Sequence, residues 1–265
     1  MADPILLRAD EGAVAVLALN APGSFNALSE AMLTALEAEI AAIAADPSVR
    51  VVVLRAEGRA FCAGHDLKEM QAHRADPDGG RSYYQALFTR CAAMMQSIAA
   101  LPQPVIAGVH GIATAAGCQL VATCDMAVAA TGTRFGVNGI NIGLFCSTPM
   151  VALTRKVAPA LAFEMLSTGT FIDAGRAREA GLVNRVVPPE ALQDETMALA
   201  QTVAAKLPAA IRTGKQGFYE QATLPLDQAY ALAGARMVEN MLDPDTDEGI
   251  CAFLDKRPPA WAPGG

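Results

Sequence analysis

The sequence predicts an α/β fold over residues 1–200, followed by a helical segment over residues 201–265. Two observations predict the α/β part. Short runs rich in Val, Leu and Ala alternate with Ala- and Leu-rich stretches of helical length, which is typical of strands joined by helical crossovers. Several of these runs are almost continuously apolar, as strands covered on both faces are. After about residue 147 the pattern changes to helices with short connections.

The front half contains two strand–helix–strand units. The first has strands at Val14–Leu19 and Val49–Arg55, and Ser29 is a suitable N-cap for the helix between them. The second has a helix over Tyr83–Leu101 and a buried strand in PVIAGVHG (104–111). Parallel strands are therefore expected to form the centre of the fold.

The next strand is expected at Asp125–Ala130, and helices follow from Ser147 onward. Connections are predicted at Thr168–Asp173 and Gly181–Pro189. Later runs such as Ala198–Leu207 carry apolar residues at helical spacing. We expect these helices to pack on the sheet or on a neighbouring subunit.

The composition limits the possible partners. Apolar residues make up 52% of the 265 positions, enough for a sizeable core. The net charge of -7 argues against electrostatic binding of nucleic acid or of an anionic membrane. Charges interrupt every apolar run before the roughly 20 residues that a membrane span requires. We therefore expect a cytoplasmic protein. Its cysteines are expected to be reduced, and no metal site is expected.

The first loop of chemical interest is FCAGHDLKEM (61–70). Gly64 allows a sharp turn close to a ligand, and Asp66 can cap the helix that follows. The amide of His65 lies between them and faces the mouth of the turn. A plain structural turn fits this loop equally well.

The second loop is HGIATAAGCQL (110–120), which leads from a buried strand into a helix. Small residues from Ala113 to Gly117 allow a ligand to approach, and the first N–H groups of a helix have no intrahelical partners. Close packing of the helix on the sheet is the alternative. Two such amides aimed at one oxygen form an oxyanion hole, in which one donor is typically worth about 3 kcal/mol.

Together the two loops resemble the paired signatures of the crotonase superfamily, the enoyl-CoA hydratases and isomerases. The resemblance extends over nearly the whole chain, in the family's order, through PGSFNALS, RAFCAGHDLKEM, PVIAGVHGIATAAGCQLVATCDMAVA, RFGVNGINIGLFCSTP, EAGLVNRVVP and EGICAFLDKR. It implies an acyl-CoA-binding spiral of ββα units over residues 1–200 and a helical trimerisation region over residues 201–265. It also implies assembly as a trimer or a dimer of trimers. Coenzyme A would be part of the thioester substrate, with no separate cofactor.

The resemblance also implies roles for individual residues. The oxyanion amides correspond to His65 and Ala116. Lys68 matches a position that helps to hold the CoA phosphates, and the pair Phe253 and Lys256 matches one that contacts CoA, often from the neighbouring subunit. The expected CoA-binding positions are Cys62, Gly64, Asp66, Lys68, Phe253 and Lys256.

The two glutamates that hydratases of this superfamily use are replaced here. Hydration needs a general base and a general acid, and the matching positions are Gln119 and Gly139. Glutamine does not exchange a proton near neutral pH, and glycine has no side chain. Slow hydration is therefore expected, and glutamate at both positions is expected to raise the rate if the pocket geometry is otherwise retained. Asp125 is expected to have a structural hydrogen-bonding role.

His65 is the side chain that could replace a carboxylate, because an imidazole beside a thioester can orient a carboxylate or move a proton. The AGHD motif resembles that of methylmalonyl-CoA decarboxylases in the superfamily, and decarboxylation needs an oxyanion hole but no strong base. Two alternatives stay open, an active lyase or isomerase and a non-catalytic acyl-CoA-binding or regulatory protein. A dinucleotide-binding fold is disfavoured because GIATAAG lacks the GxGxxG spacing. The acyl group is expected to contact the segment Gln71–Phe88.

Overall fold

The computed structural model describes residues 3–261, which fold around a six-stranded main sheet and a smaller three-stranded sheet. The strands are, in chain order, β1 Leu6–Glu11, β2 Val14–Leu19, β3 Val51–Ala56, β4 Val105–Val109, β5 Ile112–Thr114, β6 Met126–Ala130, β7 Arg134–Gly136, β8 Ile172–Asp173 and β9 Arg185–Val187. The α-helices are α1 Glu30–Ala44, α2 Leu67–Ala72, α3 Arg81–Ala100, α4 Ala116–Thr123, α5 Ser147–Leu153, α6 Pro159–Thr168, α7 Ala174–Glu179, α8 Leu192–Ala204, α9 Pro208–Gln221, α10 Leu226–Met241 and α11 Pro244–Leu254.

The main sheet has the strand order β1-β2-β3-β4-β6-β9. Only the β1–β2 pair within it is antiparallel, and the remaining pairs are parallel. The smaller sheet, β5-β7-β8, follows the carboxyl ends of β4 and β6 along the chain. The predicted α/β class is confirmed, and the parallel pairing brings the loops after β3 and β4 to the same edge.

The two faces of the main sheet bury different helices. One face contributes to a large core cluster that includes Leu33 and Leu36 of α1 and Met94 of α3. The other face, with Val16 and Val53, packs against α8. The division expected between residues 200 and 201 stays a prediction. That position lies inside α8, and residues 205–207 connect α8 to α9.

A buried ion pair fixes α9 to the sheet. The Lys215 ammonium donates to a carboxylate oxygen of Asp125 at 2.8 Å and to the carbonyl oxygen of Gln103 at 3.0 Å. The Tyr219 hydroxyl donates to the second oxygen of the same carboxylate at 2.8 Å. The expected structural role of Asp125 is thereby confirmed, and the C-terminal helices are attached to the strand that begins after it.

The C-terminal helices expose many large apolar side chains. These are Phe218, Leu226, Tyr230, Met237, Val238, Met241, Leu242, Phe253 and Leu254. A surface of this kind is typical of a contact between subunits. No helix described within residues 3–261 combines the length and the apolarity needed to cross a membrane.

Candidate functional site

The two glycine-containing loops lie against each other at the carboxyl edge of the main sheet. The amides of Phe61 and Cys62 donate to the carbonyl oxygen of Ile112 at 3.0 and 3.1 Å, and the Thr114 amide donates to that of Cys62 at 3.0 Å. Cys62 and Ala113 also form a parallel β-bridge. Backbone hydrogen bonds therefore join segments that lie about fifty residues apart in the sequence.

Glycine is required where the loops touch. A Cβ atom at Gly64, where φ is +91°, would lie 2.9 Å from the Ala115 Cβ and 3.1 Å from the Ala116 nitrogen. A Cβ atom at Gly117 would lie 2.1 Å from the carbonyl oxygen of Cys62. A larger residue at either position would push the loops apart.

The amides of His65 and Ala116 are available for a ligand. Among residues 3–261, neither amide donates a hydrogen bond to a protein acceptor. Ala116 begins α4, and the preceding Ala115 has φ 49° and ψ -122°, a conformation that costs an L-residue on the order of 1–3 kcal/mol. The Ala115 amide donates to Gly136 at 2.9 Å, and this bond helps to hold the strained turn.

His65 and Ala116 line one cavity of about 350 Å³. Its apolar wall includes the side chains of Leu67, Met70, Phe88, Ile142, Leu144, Phe145 and Pro149. Its polar residues are His65, Thr114, Asn138, Asn141, Cys146, Ser147 and Thr148. Within the described part of the chain, no Asp, Glu, Lys or Arg lines this cavity.

Burial lowers the pKa of the His65 imidazole below its ordinary value, which favours the neutral form. Its Nδ1 atom lies 3.5 Å from the carbonyl oxygen of Leu28, and its ring meets Phe88 edge-on at 5.7 Å between centroids. The Nε2 atom is buried and has no hydrogen-bond partner among the described residues. The hydrogen-bonding capacity of this nitrogen is therefore unsatisfied among the described residues.

Gly139 lies on the cavity wall and has no room for a side chain. A Cβ atom there would lie 2.3 Å from the Leu144 carbonyl oxygen and 2.9 Å from the Cys146 sulfur. The Leu144 amide donates back to the Gly139 carbonyl at 3.0 Å, which fixes this arrangement. Glutamate at this position would require the loop to move. The gain expected from restoring both glutamates depends on a retained pocket geometry, and it stays a prediction.

Gln119 lies in α4 one turn after Ala116 and is 5% exposed. Its side-chain carbonyl oxygen is buried without a partner in the described structure, and the residue is not among those lining the cavity. Neither of the two predicted proton-transfer positions thus presents an ionisable group to the cavity.

The expected CoA-binding positions fall in three places. Cys62 has its side chain in the core, where burial raises the thiol pKa to about 12, so only its backbone can take part. Asp66 caps α2 by accepting from the Lys68 amide at 2.8 Å. The Lys68 side chain is exposed beside the first loop. Phe253 and Lys256 are at the end of the C-terminal helices and do not line the cavity of their own chain within residues 3–261.

Most of the wall comes from residues 138–149, which belong to the motif RFGVNGINIGLFCSTP but, apart from Gly139, had no role predicted for them. Of the expected segment Gln71–Phe88, only Phe88 lines the cavity. The pair Thr114 and Asn138, joined by a hydrogen bond between their side chains, was not predicted. The run of apolar residues at 142–145, exposed between two helices, is the signal that could have indicated this wall.

Comparison with known proteins assigns the chain to a family. It belongs to the enoyl-CoA hydratase/isomerase family, whose model matches residues 9–263. The chain is similar to enoyl-CoA hydratase domain-containing protein 3, mitochondrial, of Xenopus laevis, with 44% identity over 97% of this chain and 86% of that protein. The human protein of the same name is 45% identical over 93% of this chain and 80% of its own length. The motifs ATAAGCQL and GLFCSTP predicted this likeness, and the comparison confirms it.

Solved structures show the same fold. A crystal structure of an enoyl-CoA hydratase from Mycobacterium smegmatis matches with a TM-score of 0.94 and 57% identity, covering 98% of this chain and 99% of that one. Human enoyl-CoA hydratase domain-containing protein 3 matches with a TM-score of 0.92 and 43% identity, covering 97% and 100% of the two chains. The predicted crotonase fold is confirmed. The expected cytoplasmic location is wrong on these comparisons, because the vertebrate relatives are named mitochondrial.

Proposed function

We propose that the protein binds acyl-CoA thioesters and holds the thioester carbonyl oxygen with the backbone amides of His65 and Ala116. One observation carries the proposal, namely that two hydrogen-bonded loops each bring an unbonded amide to the wall of the same largely apolar cavity. Family membership supports the same class of ligand. Amides fixed in this way stabilise the negative charge that develops on the oxygen as an enolate forms.

The reaction that this site supports is formation or protonation of an enolate, not ordinary hydration. Hydration needs two positioned proton-transfer groups, and the described wall holds no carboxylate. Burial lowers the pKa of the His65 imidazole and so favours its neutral form. If the ring turned to bring the buried, unpartnered Nε2 atom to the cavity surface, this nitrogen would accept a proton from the α-carbon or orient a substrate carboxylate. Isomerisation or decarboxylation would use the oxyanion amides together with this one side chain.

A second candidate is a non-catalytic acyl-CoA-binding or regulatory protein. The geometry at Gly139 favours it, because the Leu144 carbonyl occupies the space that a side chain there would need. The cavity keeps its apolar wall and its amides, which suffice for binding. Only turnover measurements distinguish the two candidates.

We further propose that the chain assembles as a trimer or a dimer of trimers through α9–α11. The exposed apolar side chains of these helices support this, as does Phe253, which is 82% exposed and lies away from its own cavity. In such an assembly Phe253 and Lys256 would complete the CoA site of a neighbouring subunit, and Lys68 would contact the CoA phosphates.

The test compares binding of butyryl-CoA and free CoA by calorimetry. Butyryl-CoA is saturated and cannot be hydrated, so the difference between its affinity and that of CoA isolates the acyl and thioester contacts. Wild-type protein should bind butyryl-CoA more tightly than CoA. Ala116→Pro removes the donor amide and should abolish most of this difference, whereas the matched Ala116→Gly, which keeps the amide, should preserve it.

Crotonyl-CoA hydration is measured on the same preparations. The expected rate lies far below the ordinary range of roughly 1 to 10³ per second, because each missing acid or base is worth about 10²- to 10⁴-fold. A folded Ala116→Pro variant that binds butyryl-CoA like wild type would contradict the oxyanion assignment. Hydration within the ordinary range would show that another group performs the proton transfers.

A further inference from the structure

A second cavity, of about 400 Å³, lies at the opposite edge of the main sheet from the candidate site. Val49 and Arg50 line it just before β3, and Pro102 and Gln103 line it just before β4. These residues stand at the amino ends of parallel strands, whereas the loops of the candidate site follow the carboxyl ends. Among the described residues, the two cavities have no lining residue in common.

Three cations line this second cavity, although the protein carries a net charge of -7. They are Arg50, Lys206 and Arg212. The one carboxylate on the wall is Asp46, which accepts from the hydroxyl and the amide of Ser48 at 2.6 and 2.9 Å. Those hydrogen bonds lower the Asp46 pKa, so the lining carries three positive charges and one negative charge at neutral pH.

The cations are not used by the rest of the described chain. None of the three forms a salt bridge within residues 3–261. The Arg50 side chain donates once, to the carbonyl oxygen of Ala204 at 3.0 Å, which holds the guanidinium at the cavity and leaves its other N–H groups free. Across the same residues, the side chains of Lys206 and Arg212 donate no hydrogen bond.

The backbone contributes potentials of both signs, because α1 and α8 end beside the cavity while α9 begins there. α9 begins at Pro208 beside the cavity, and no side chain caps its amino end. The unbonded N–H groups at the start of a helix favour an anion there. Apolar residues complete the wall, among them Val49, Val203 and Ile211.

We infer that this cavity is a binding site for a small organic phosphate, such as a nucleoside diphosphate, held by Arg50, Lys206 and Arg212. The guanidinium groups match the geometry of phosphate oxygens, and the volume falls within the roughly 300–1,000 Å³ usual for small-molecule sites. The apolar wall contacts the organic part of the ligand. Because Lys206 lies between α8 and α9, the bound phosphate joins the core to the C-terminal helices.

The test is calorimetric titration with ADP and with inorganic pyrophosphate at constant ionic strength. Wild-type protein should bind both, with ADP the tighter. Lys206→Gln/Arg212→Gln should weaken ADP binding by about tenfold or more. The matched double variant Arg81→Gln/Arg178→Gln makes the same charge change at exposed positions elsewhere and should bind like wild type. Arg50→Lys, which keeps the charge but loses the planar fork, should show an intermediate loss.

Hydrogen exchange with and without ADP locates the site. Protection is expected at residues 203–212 and at the start of β3. Absence of ADP binding, an unchanged affinity in Lys206→Gln/Arg212→Gln, or an equal loss in the control variant would each overturn the inference. Protection confined to residues 61–70 and 110–120 would overturn it as well, because ADP would then occupy the acyl-CoA site. Equal affinity for pyrophosphate and ADP would overturn the organic part of the assignment.

Discussion

Lys215→Met tests how strongly the buried ion pair holds the C-terminal helices. The Lys215 and Asp125 side chains are 6% and 14% exposed, and their charged atoms lie 2.8 Å apart. Methionine keeps the apolar stem but removes the cation, which leaves Asp125 buried with only the Tyr219 hydroxyl and the Val105 amide as donors. The carbonyls of Ile98 and Gln103 each lose the hydrogen bond from Lys215 too.

Breaking a buried pair from one side typically costs about 3–5 kcal/mol, because a charge is left without its partner. Total unfolding free energies are about 5–15 kcal/mol, so this loss would remove a large part of the stability. The measurement is urea denaturation at one fixed protein concentration, since self-association contributes to apparent stability. The control is Lys206→Met at an exposed lysine, which should change the unfolding free energy by less than about 0.5 kcal/mol.

A second variant separates the charge effect from lost packing. In Lys215→Met/Asp125→Asn the unpaired charge is gone while an oxygen acceptor stays for Tyr219, so part of the stability should return. If Lys215→Met lowered the unfolding free energy by less than about 1 kcal/mol, the reasoning would be refuted, since a loss of that size is typical of an exposed ion pair.

Three further predictions follow from the site and the C-terminal helices. Gly139→Glu should lower the unfolding free energy by about 1–3 kcal/mol without raising the rate of crotonyl-CoA hydration, because its Cβ would meet the Leu144 carbonyl. The control Gly23→Glu has open space and should leave the unfolding free energy nearly unchanged. A Gly139→Glu variant that is stable and hydrates crotonyl-CoA faster than wild type would contradict this prediction. Burial lowers the His65 pKa, so the imidazole binds a proton more readily in the unfolded state than in the folded state. The unfolding free energy should therefore be at its full value above about pH 6.5 and should fall as the pH drops below it. In His65→Gln the urea midpoint should change less between about pH 7.5 and 5.5 than in wild type. Equal pH dependence in both proteins would argue against it. Light scattering should give a trimer or hexamer for wild type and a smaller mass for Met237→Lys, and a stable wild-type monomer with normal CoA-ester binding would refute the shared site.

The long elements were predictable from the sequence because their own residues determine them. β2 occupies Val14–Leu19 as expected, and all six of its residues are buried. Ser29 caps α1 by accepting from the Met32 amide at 3.2 Å. β1 was missed, because Leu6–Glu11 is an edge strand in which only Leu6 is buried and half of the residues are charged.

The short strands could not be predicted, because their pairing with distant residues defines them. β8 and β9 lie inside the segments expected to be connections and have two and three residues. β9 exists because Arg185–Val187 pairs with β6, whose partner residues begin at Val128. No local pattern of two or three residues indicates such a contact.

The candidate site was predictable where a short motif determines the backbone and not where a loop folds back on itself. The loops around Gly64 and Gly117 touch as expected, since each glycine permits the close approach. The absence of a carboxylate at Gly139 was visible in the sequence. The position of the Leu144 carbonyl against it was not, because that contact depends on the path of the residues between them.

The strained Ala115 turn has a consequence for how the site meets its ligand. The neighbouring Ala116 amide is held in place without a ligand. The Ala115 amide donates a hydrogen bond to the carbonyl of Gly136, and Gly64 packs against the turn. A donor that is already in place loses little conformational entropy on binding. If the site binds a thioester as proposed, it would meet the carbonyl oxygen with a backbone already in place, and its free and bound forms should share one backbone path through both loops.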